Sequence, residues 1–418
     1  MDDLRSEIRA AFEKEQAAHP PLGGLRFTLT AAAASQPRPA RNFRWIAVAV
    51  AALLVIAVVA GLVWTRNGPR ADVPGANPGP LKDYGPPPAG VSLMYLIDPR
   101  NDTWLQAYDW HGQPRGTIKL GRPVNVGYPS IFAAPDGSGF VYEPEYRGGI
   151  EYLDRLGQPI APGLLPSTAL DVAWMWADDS RHVCVVKFAT TSGGGWRLVT
   201  QLPGEADRVV AIIPRGSNIA EPAPVLASCS FRNDRAIVLR TGSGDGIGPT
   251  RLWVYRISDG KVLSDYTYSN PGSVEIVIAS SDGLLIAENS SRSAAQPGAG
   301  APSTIIRRAS DRSVIATLDP LLKVMAFSGD GSRVLVAVGS GFTTGDKPFL
   351  LSVIDVRTGQ ATWHGQGMPL MSQPDGPDFA IGSILPFPTE TQGPLDNFHI
   401  IHGDGSVTTI AGTYMLAY

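Results

Sequence analysis

The sequence predicts an all-β domain of short four-stranded sheets packed around a common axis and tethered to a membrane. Three observations predict it. Residues Ile46–Val63 read IAVAVAALLVIAVVAGLV, with no charge and no proline. From Val91 onward, short apolar runs rich in Val, Ile and Leu recur with no long helical pattern between them. Two series of Asp- and Gly-containing turns interleave among those runs, each repeating about every 43 to 55 residues, close to the period of a four-stranded repeat unit.

Composition sets the limits. The chain has 418 residues and a formal net charge of -3, which excludes nucleic-acid binding by bulk electrostatics. Its charged fraction of 17% is low for a soluble protein, and its 46 glycines and 36 prolines imply many chain reversals. The two cysteines, Cys184 and Cys229, sit in the apolar runs HVCVV and ASCSF. The sequence favours two buried free thiols; a disulfide is the alternative if the large part lies outside the cytoplasm.

The N-terminal stretch DDLRSEIRAAFEKEQAAHPP predicts a helix over 3–18, capped by Asp2 or Asp3 and stopped by Pro20 and Pro21. Leu4, Ile8, Ala11 and Phe12 fall on one narrow stripe, so Leu4, Ile8 and Phe12 are candidate partner-binding residues. A helix lying on the membrane surface is the equal alternative. The following GGLRFTLTAAAASQPRPAR has no apolar period and reads as disordered.

Residues 45–64 predict one transmembrane helix, long enough to cross a bilayer at ~1.5 Å rise per residue. Arg44, Trp45, Trp64 and Arg66 bracket it as membrane-interface residues. The segment before it is long and acidic for a signal peptide, and the span exceeds the usual ~7–15 residue apolar region, so a retained signal anchor is expected. Arg26, Arg38, Arg41 and Arg44 precede the span, against Arg66, Arg70 and Lys82 after it. This slight excess places the N-terminus in the cytoplasm of a single-pass cell-membrane protein, with membrane lipid as the partner of 45–64. Residues 65–90 carry Pro69, Pro74, Pro78, Pro80 and Pro86-Pro87-Pro88 and read as a semi-rigid linker.

The repeats fill 91–418. The first turn series precedes apolar strands: Pro135-Asp136-Gly137, Asp178-Asp179-Ser180, Asn233-Asp234-Arg235, Ser281-Asp282-Gly283, Gly329-Asp330-Gly331 and Pro374-Asp375-Gly376. The second joins outer strands: Trp110-His111-Gly112, Arg155-Leu156-Gly157, Pro203-Gly204, Ser258-Asp259-Gly260, Ser310-Asp311-Arg312, Arg357-Thr358-Gly359 and Asp404-Gly405. Radial packing of such sheets covers both faces of each. The first series is one member short, because the first unit lacks a strand on its N-terminal side. The terminal run TYMLAY is expected to supply it, with strand 413–418 pairing with the first blade. The fold expected is a seven-bladed β-propeller, with six or eight blades as alternatives.

The best repeat reads AFSGDGSRVLVAVG…FLLSVIDVRTGQATW, Ala326–Trp363. It resembles the WD40-like repeats of TolB-type propellers and the YncE-like seven-bladed family. The resemblance extends to Leu252–Asp265, weakens at Pro135–Leu153 and is architectural elsewhere. The Gly-His and Trp-Asp pairs of true WD40 repeats are absent. It implies a fold and no particular activity.

Candidate chemistry is sparse. The variable connections Pro99–Asp102, Pro144–Gly148, Thr190–Gly195, Thr241–Thr250, Ser290–Ser303, Ser340–Lys347 and Pro386–Leu395 gather on one face, a candidate binding face for a protein or glycan. TGSGDGIG at 241–248 lacks the Lys-Ser/Thr of a phosphate loop. Asp330 and Asp404, in GDG, lack EF-hand spacing and read as turn residues. No HExxH, Cys/His set or Gly-x-Ser-x-Gly occurs around His19, His111, His182, His364, His399 or His402. Trp174 and Trp176 are expected to share one face of a strand and pack in the core. No catalytic residue, cofactor or metal ligand is assigned. The expected function is a non-catalytic binding or sensing module outside the cytoplasm. A transmembrane regulator laid out like an anti-sigma factor, without that domain's zinc motif, is the alternative. A propeller hydrolase or lactonase is the third reading.

Overall fold

The computed structural model describes residues 82–97, 101–124, 131–142, 151–161, 173–189, 195–214, 223–242, 249–268, 274–290, 304–319, 321–338, 349–383 and 395–417. The helix expected at 3–18 and the span expected at 45–64 lie outside them. Among the described residues no helix is long and apolar enough to cross a membrane.

The described residues from Lys82 onward belong to one compact unit built entirely of antiparallel strands. Four sheets of four strands follow one another along the chain. The first holds β4 (Ile131–Ala133), β5 (Gly139–Tyr142), β6 (Glu151–Asp154) and β7 (Pro159–Ala161). The second holds β8 (Ala173–Trp176), β9 (Val183–Ala189), β10 (Gly195–Gln201) and β11 (Arg208–Ile213). The third is β12 (Val225–Ser230), β13 (Arg235–Thr241), β14 (Pro249–Arg256) and β15 (Val262–Thr267). The fourth is β16 (Val274–Ala279), β17 (Leu285–Ser290), β18 (Thr304–Arg308) and β19 (Val314–Leu318).

The remaining strands form one continuous ladder. It runs from β20 (Leu322–Phe327), β21 (Arg333–Val338) and β22 (Phe349–Asp355) into the long β23 (Ala361–Ser372). It continues through β24 (Phe379–Ser383), β25 (Leu395–Ile401) and the long β26 (Val407–Ala417) to β1 (Met94–Ile97), β2 (Trp104–Tyr108) and β3 (Pro114–Lys119). The first part of β23 pairs with β22 and its end pairs with β24. β26 pairs with β25 and then, through Met415–Ala417, with β1, so chain start and chain end share a sheet.

Period-two burial on both faces explains how the sheets stack. In β9, Val183 and Val185 face the cluster shared with β5 and β6, while Cys184 and Val186 face the cluster shared with β12–β14. Each further apolar cluster likewise lies between two consecutive sheets, including one between the β24–β26 sheet and β1–β2. Trp174 meets Phe132 edge-on at 4.6 Å and Trp176 meets Tyr152 at 6.5 Å, so both serve the core between two sheets.

One observation corrects the sequence reading and a second adds to it. Cys184 and Cys229 are not free thiols but a disulfide, joining β9 of one sheet to β12 of the next. The strands are distant in sequence, so nothing local announces that their cysteines meet. The final part of the expected linker, 82–90, lies on the outer edge of β3. Thr117 N donates to Gly85 O (2.6 Å), Tyr84 N donates to Thr117 Oγ1 (3.1 Å), and an Arg155 guanidinium nitrogen donates to Pro87 O (3.2 Å). Gly116 admits this strap: a Cβ there would sit 2.5 Å from the Pro87 backbone.

The turn chemistry follows the expectation. Gly112, Gly137, Gly157, Gly204, Gly260, Gly283, Gly331, Gly359 and Gly405 all have positive φ. Where the same turn position is not glycine, the side chain is used. Ser180 Oγ accepts the Asp136 amide, Asp234 accepts the Ser258 amide and hydroxyl, and Arg312 pairs with buried Glu288.

Candidate functional site

The first strands of successive sheets converge on one cavity of about 340 Å³. That is the low end of the range for small-ligand sites. Met175 and Trp176 come from β8, Ala227 to Cys229 from β12, Ile278 and Ala279 from β16, and Met325 to Phe327 from β20. Ser372 of β23 and the Pro374-Asp375 turn complete the wall, with Pro135. Walls drawn from so many sheets are what radial packing produces. The lining mixes small residues such as Ala227, Ser228, Ala279 and Ala326 with the larger Met175, Trp176, Ile278, Met325 and Phe327.

The turns of the first series form the rim. Most reach the next through side chains, and one pair meets through backbone. Ser138 Oγ donates to Ser180 O (3.1 Å). Asp178 accepts Ser230 Oγ (2.5 Å) on Oδ2, and the amides of Phe231 (2.8 Å) and Arg232 (3.3 Å) on Oδ1. Ser228 Oγ donates to Ser280 O (2.8 Å), and Asn233 Nδ2 donates to Asp282 O (3.1 Å). Ser281 Oγ donates to Gly329 O (3.5 Å), and the Asp330 amide donates to Gly376 O (3.4 Å).

One contact spans the rim instead of following it. The Arg232 guanidinium forms a bidentate ion pair with Asp375, from the β12–β13 turn to the β23–β24 turn. The two turns belong to sheets separated by two others. Both side chains are 53% exposed. The Asp375 hydrogen bond, and then the nearby charges of Asp375, Asp178 and Asp179, hold the Arg232 guanidinium above its ordinary value. Among the described residues, the cavity wall carries the carboxylates of Asp178 and Asp375 and no basic side chain.

Of the residues singled out in the sequence, Trp176 and the turn residues Pro135, Asp178 and Asp375 are among those on the cavity wall, and the candidate site residues fall elsewhere. Leu4, Ile8, Phe12, Arg44, Trp45, Trp64 and Arg66 lie outside the described residues. So do most of the variable connections, including Pro144–Gly148 and 243–248. Asp330 and Asp404 act in turns: Asp330 accepts from the amide of Ser332 and the hydroxyls of Ser328 and Ser332, and Asp404 accepts from the Ser406 amide and hydroxyl. Of the described histidines, His111 and His402 are neighbours, with ring centroids 6.2 Å apart, and the others lie apart. His182 bonds Asp179 (2.6 Å) and stacks on Phe231, and His364 bonds Ser352 (2.7 Å). His402 bonds Asp378 and Thr408, both at 2.9 Å. His399 bonds Thr409 (3.0 Å), and burial pushes its pKa down. Among the described residues no group of His, Cys, Asp or Glu is arranged to hold a metal ion. Sequence reasoning found Asp375 as a turn residue and missed its pairing, because Arg232 lies 143 residues away and no spacing rule connects them.

The chain is similar in fold to solved structures that include β-propellers of the TolB and WD40 kind. The uncharacterized protein lmo1340 from Listeria monocytogenes EGD-e is 9% identical, with a TM-score of 0.46 over 72% of this chain and 92% of that one. A putative TolB from Agrobacterium tumefaciens is 16% identical, with a TM-score of 0.41 over 72% and 99%. The Cps50 (Swd1) β-propeller domain of Myceliophteria thermophila is 13% identical, with a TM-score of 0.40 over 71% and 94%. No family model and no curated protein matches the sequence.

Proposed function

We propose that this chain is a single-pass, membrane-anchored seven-bladed propeller held outside the cytoplasm, where it binds or senses a ligand without catalysing a reaction. The blade count rests on strand sharing: β23 and β26 each serve two sheets, and counting them twice turns the ladder into three further sets of four. The apolar 45–64 span is the anchor, and Arg44, Trp45, Trp64 and Arg66 sit at its interfaces. The binding reading draws on the cavity, whose wall is mostly apolar with a few polar groups at one end.

The single observation that carries the location is the Cys184–Cys229 disulfide. Structural disulfides persist in oxidising compartments and are kept reduced in the cytosol. Both cysteines are buried, so the bond is shielded from solvent. The test is alkylation of the chain in freshly lysed cells under denaturing conditions, with and without prior reduction. Both cysteines should resist alkylation until reduced, in a chain that stays with the membrane pellet through a carbonate wash. Free thiols before reduction, or release by the wash, would end this reading.

A further inference from the structure

Resting on the binding reading above, we infer that the axial cavity takes a cationic head group on a short apolar body, which replaces Arg232 on Asp375. The ligand is an alkyl-guanidinium or alkyl-ammonium group, free or presented as a basic side chain of a protein partner.

Polarity comes from the wall. Met175, Met325 and Ile278 give an apolar, adaptable surface, since methionine side chains re-pack at small cost. The charge at its end is negative. Asp178 already accepts from Ser230 and two backbone amides, so it contributes mainly charge. Asp375 differs: its partner is a half-exposed arginine on a distant turn. An exposed ion pair of this kind contributes little to stability, so a second cation exchanges with Arg232 at little cost. Arg232 occupies the position such a head group would take, and its two-pronged grip on Asp375 shows that the carboxylate accepts a planar cation there.

The opposite polarity is disfavoured by the same geometry. An anion reaching Arg232 would have to displace Asp375 while lying beside Asp178 and Asp179.

The experiment titrates the full chain in detergent with hexylguanidinium, with hexanoate, and with the peptide acetyl-Leu-Arg-Leu-amide, read by calorimetry. Hexylguanidinium should bind and hexanoate should not. Binding of hexylguanidinium marks a free small molecule as sufficient; binding of the peptide alone marks a protein side chain as the source. Asp375→Asn should weaken binding about tenfold, the worth of one charge-assisted hydrogen bond. Arg232→Ala should tighten it several-fold, because the internal competitor is gone. Ser281→Trp, at an exposed position on the cavity wall, should abolish it. A merely structural ion pair would move both charge variants in the same direction. Binding of hexanoate in place of the cations overturns this inference and leaves the cavity-binding reading standing. Failure of every probe overturns the inference, while the disulfide test judges the location independently.

Discussion

The inner and outer rims of this domain use the same turn residues for different work. On the inner rim Asp136, Asp282 and Asp330 serve their own turns, but other side chains reach from one sheet to the next: Asp178 to the β12–β13 turn, Ser228 to Ser280, Asn233 to Asp282. On the outer rim, each aspartate serves its own turn. Asp154 accepts the amides of Leu156 and Gln158, Asp355 those of Arg357 and Thr358, and Asp404 that of Ser406. Neighbouring sheets meet there mainly through glycine backbone, with a side-chain tie from Arg208 Nη2 to the Ile257 carbonyl oxygen (3.0 Å). A Cβ at Gly112 would touch Thr408 at 2.7 Å and one at Gly157 would touch Leu120 at 2.7 Å, while one at Gly260 would overlap the Val210 carbonyl oxygen. Side-chain ties near the axis leave room for a cavity and couple its walls. Backbone nesting at the periphery packs sheets and builds no site.

The largest way to break this contrast is to cut the covalent tie beside the cavity. The bridge closes a separation of 45 residues, for which loop entropy gives about 4 kcal/mol. The Cys184→Ala, Cys229→Ala variant should lose about 2–4 kcal/mol in urea unfolding. A loss below about 1 kcal/mol would mean that the two sheets are held by packing alone.

Next comes a pair of outer-rim glycines. Gly260 has φ +71 and its Cβ position is filled by Val210; Gly359 has φ +68 and nothing within 4 Å. Gly260→Ala should cost about 3 kcal/mol, summing left-handed strain and overpacking. Gly359→Ala should cost about 1 kcal/mol from strain alone. Equal midpoints in chemical denaturation would show that backbone nesting does not hold the outer rim.

The smallest effect is on pH. The Thr358 amide, and then its hydroxyl, hold the Asp355 carboxyl below its ordinary 3.8, and the Ser406 hydroxyl and amide do the same for Asp404. A carboxylate depressed by folding stabilises above its unfolded value, and that stability is lost as pH falls through the lower folded value. Stability should therefore decline from about pH 4 downward. Asp355→Asn should flatten that acid limb slightly and lower the neutral-pH midpoint only a little, because these turns act one at a time. A large neutral-pH loss would show that outer turns are coupled as the inner ones are.

Much of the architecture was legible in the chain because strand period and turn chemistry are local. Asp136-Gly137 and Thr358-Gly359 read as reversals from adjacent residues, and the structure puts both glycines at positive φ. The interval between turns carried the four-strand unit. The site was not legible. Asp375 was found as a turn residue, while Arg232 passed unremarked beside Asn233-Asp234, since their pairing depends on closing a path through two intervening sheets. The strap at 82–90 reads as linker because prolines signal extended chain whether or not it is docked.

By itself the sequence determined the β class, the repeat, the turn positions and the apolar span, each written in a few neighbouring residues. Tertiary structure alone decided that Cys184 meets Cys229, that the first strands enclose a cavity, and that Arg232 meets Asp375 across its rim. Those depend on how sheets close on one another, and closure is a property of all the interfaces together, which no single window of residues encodes.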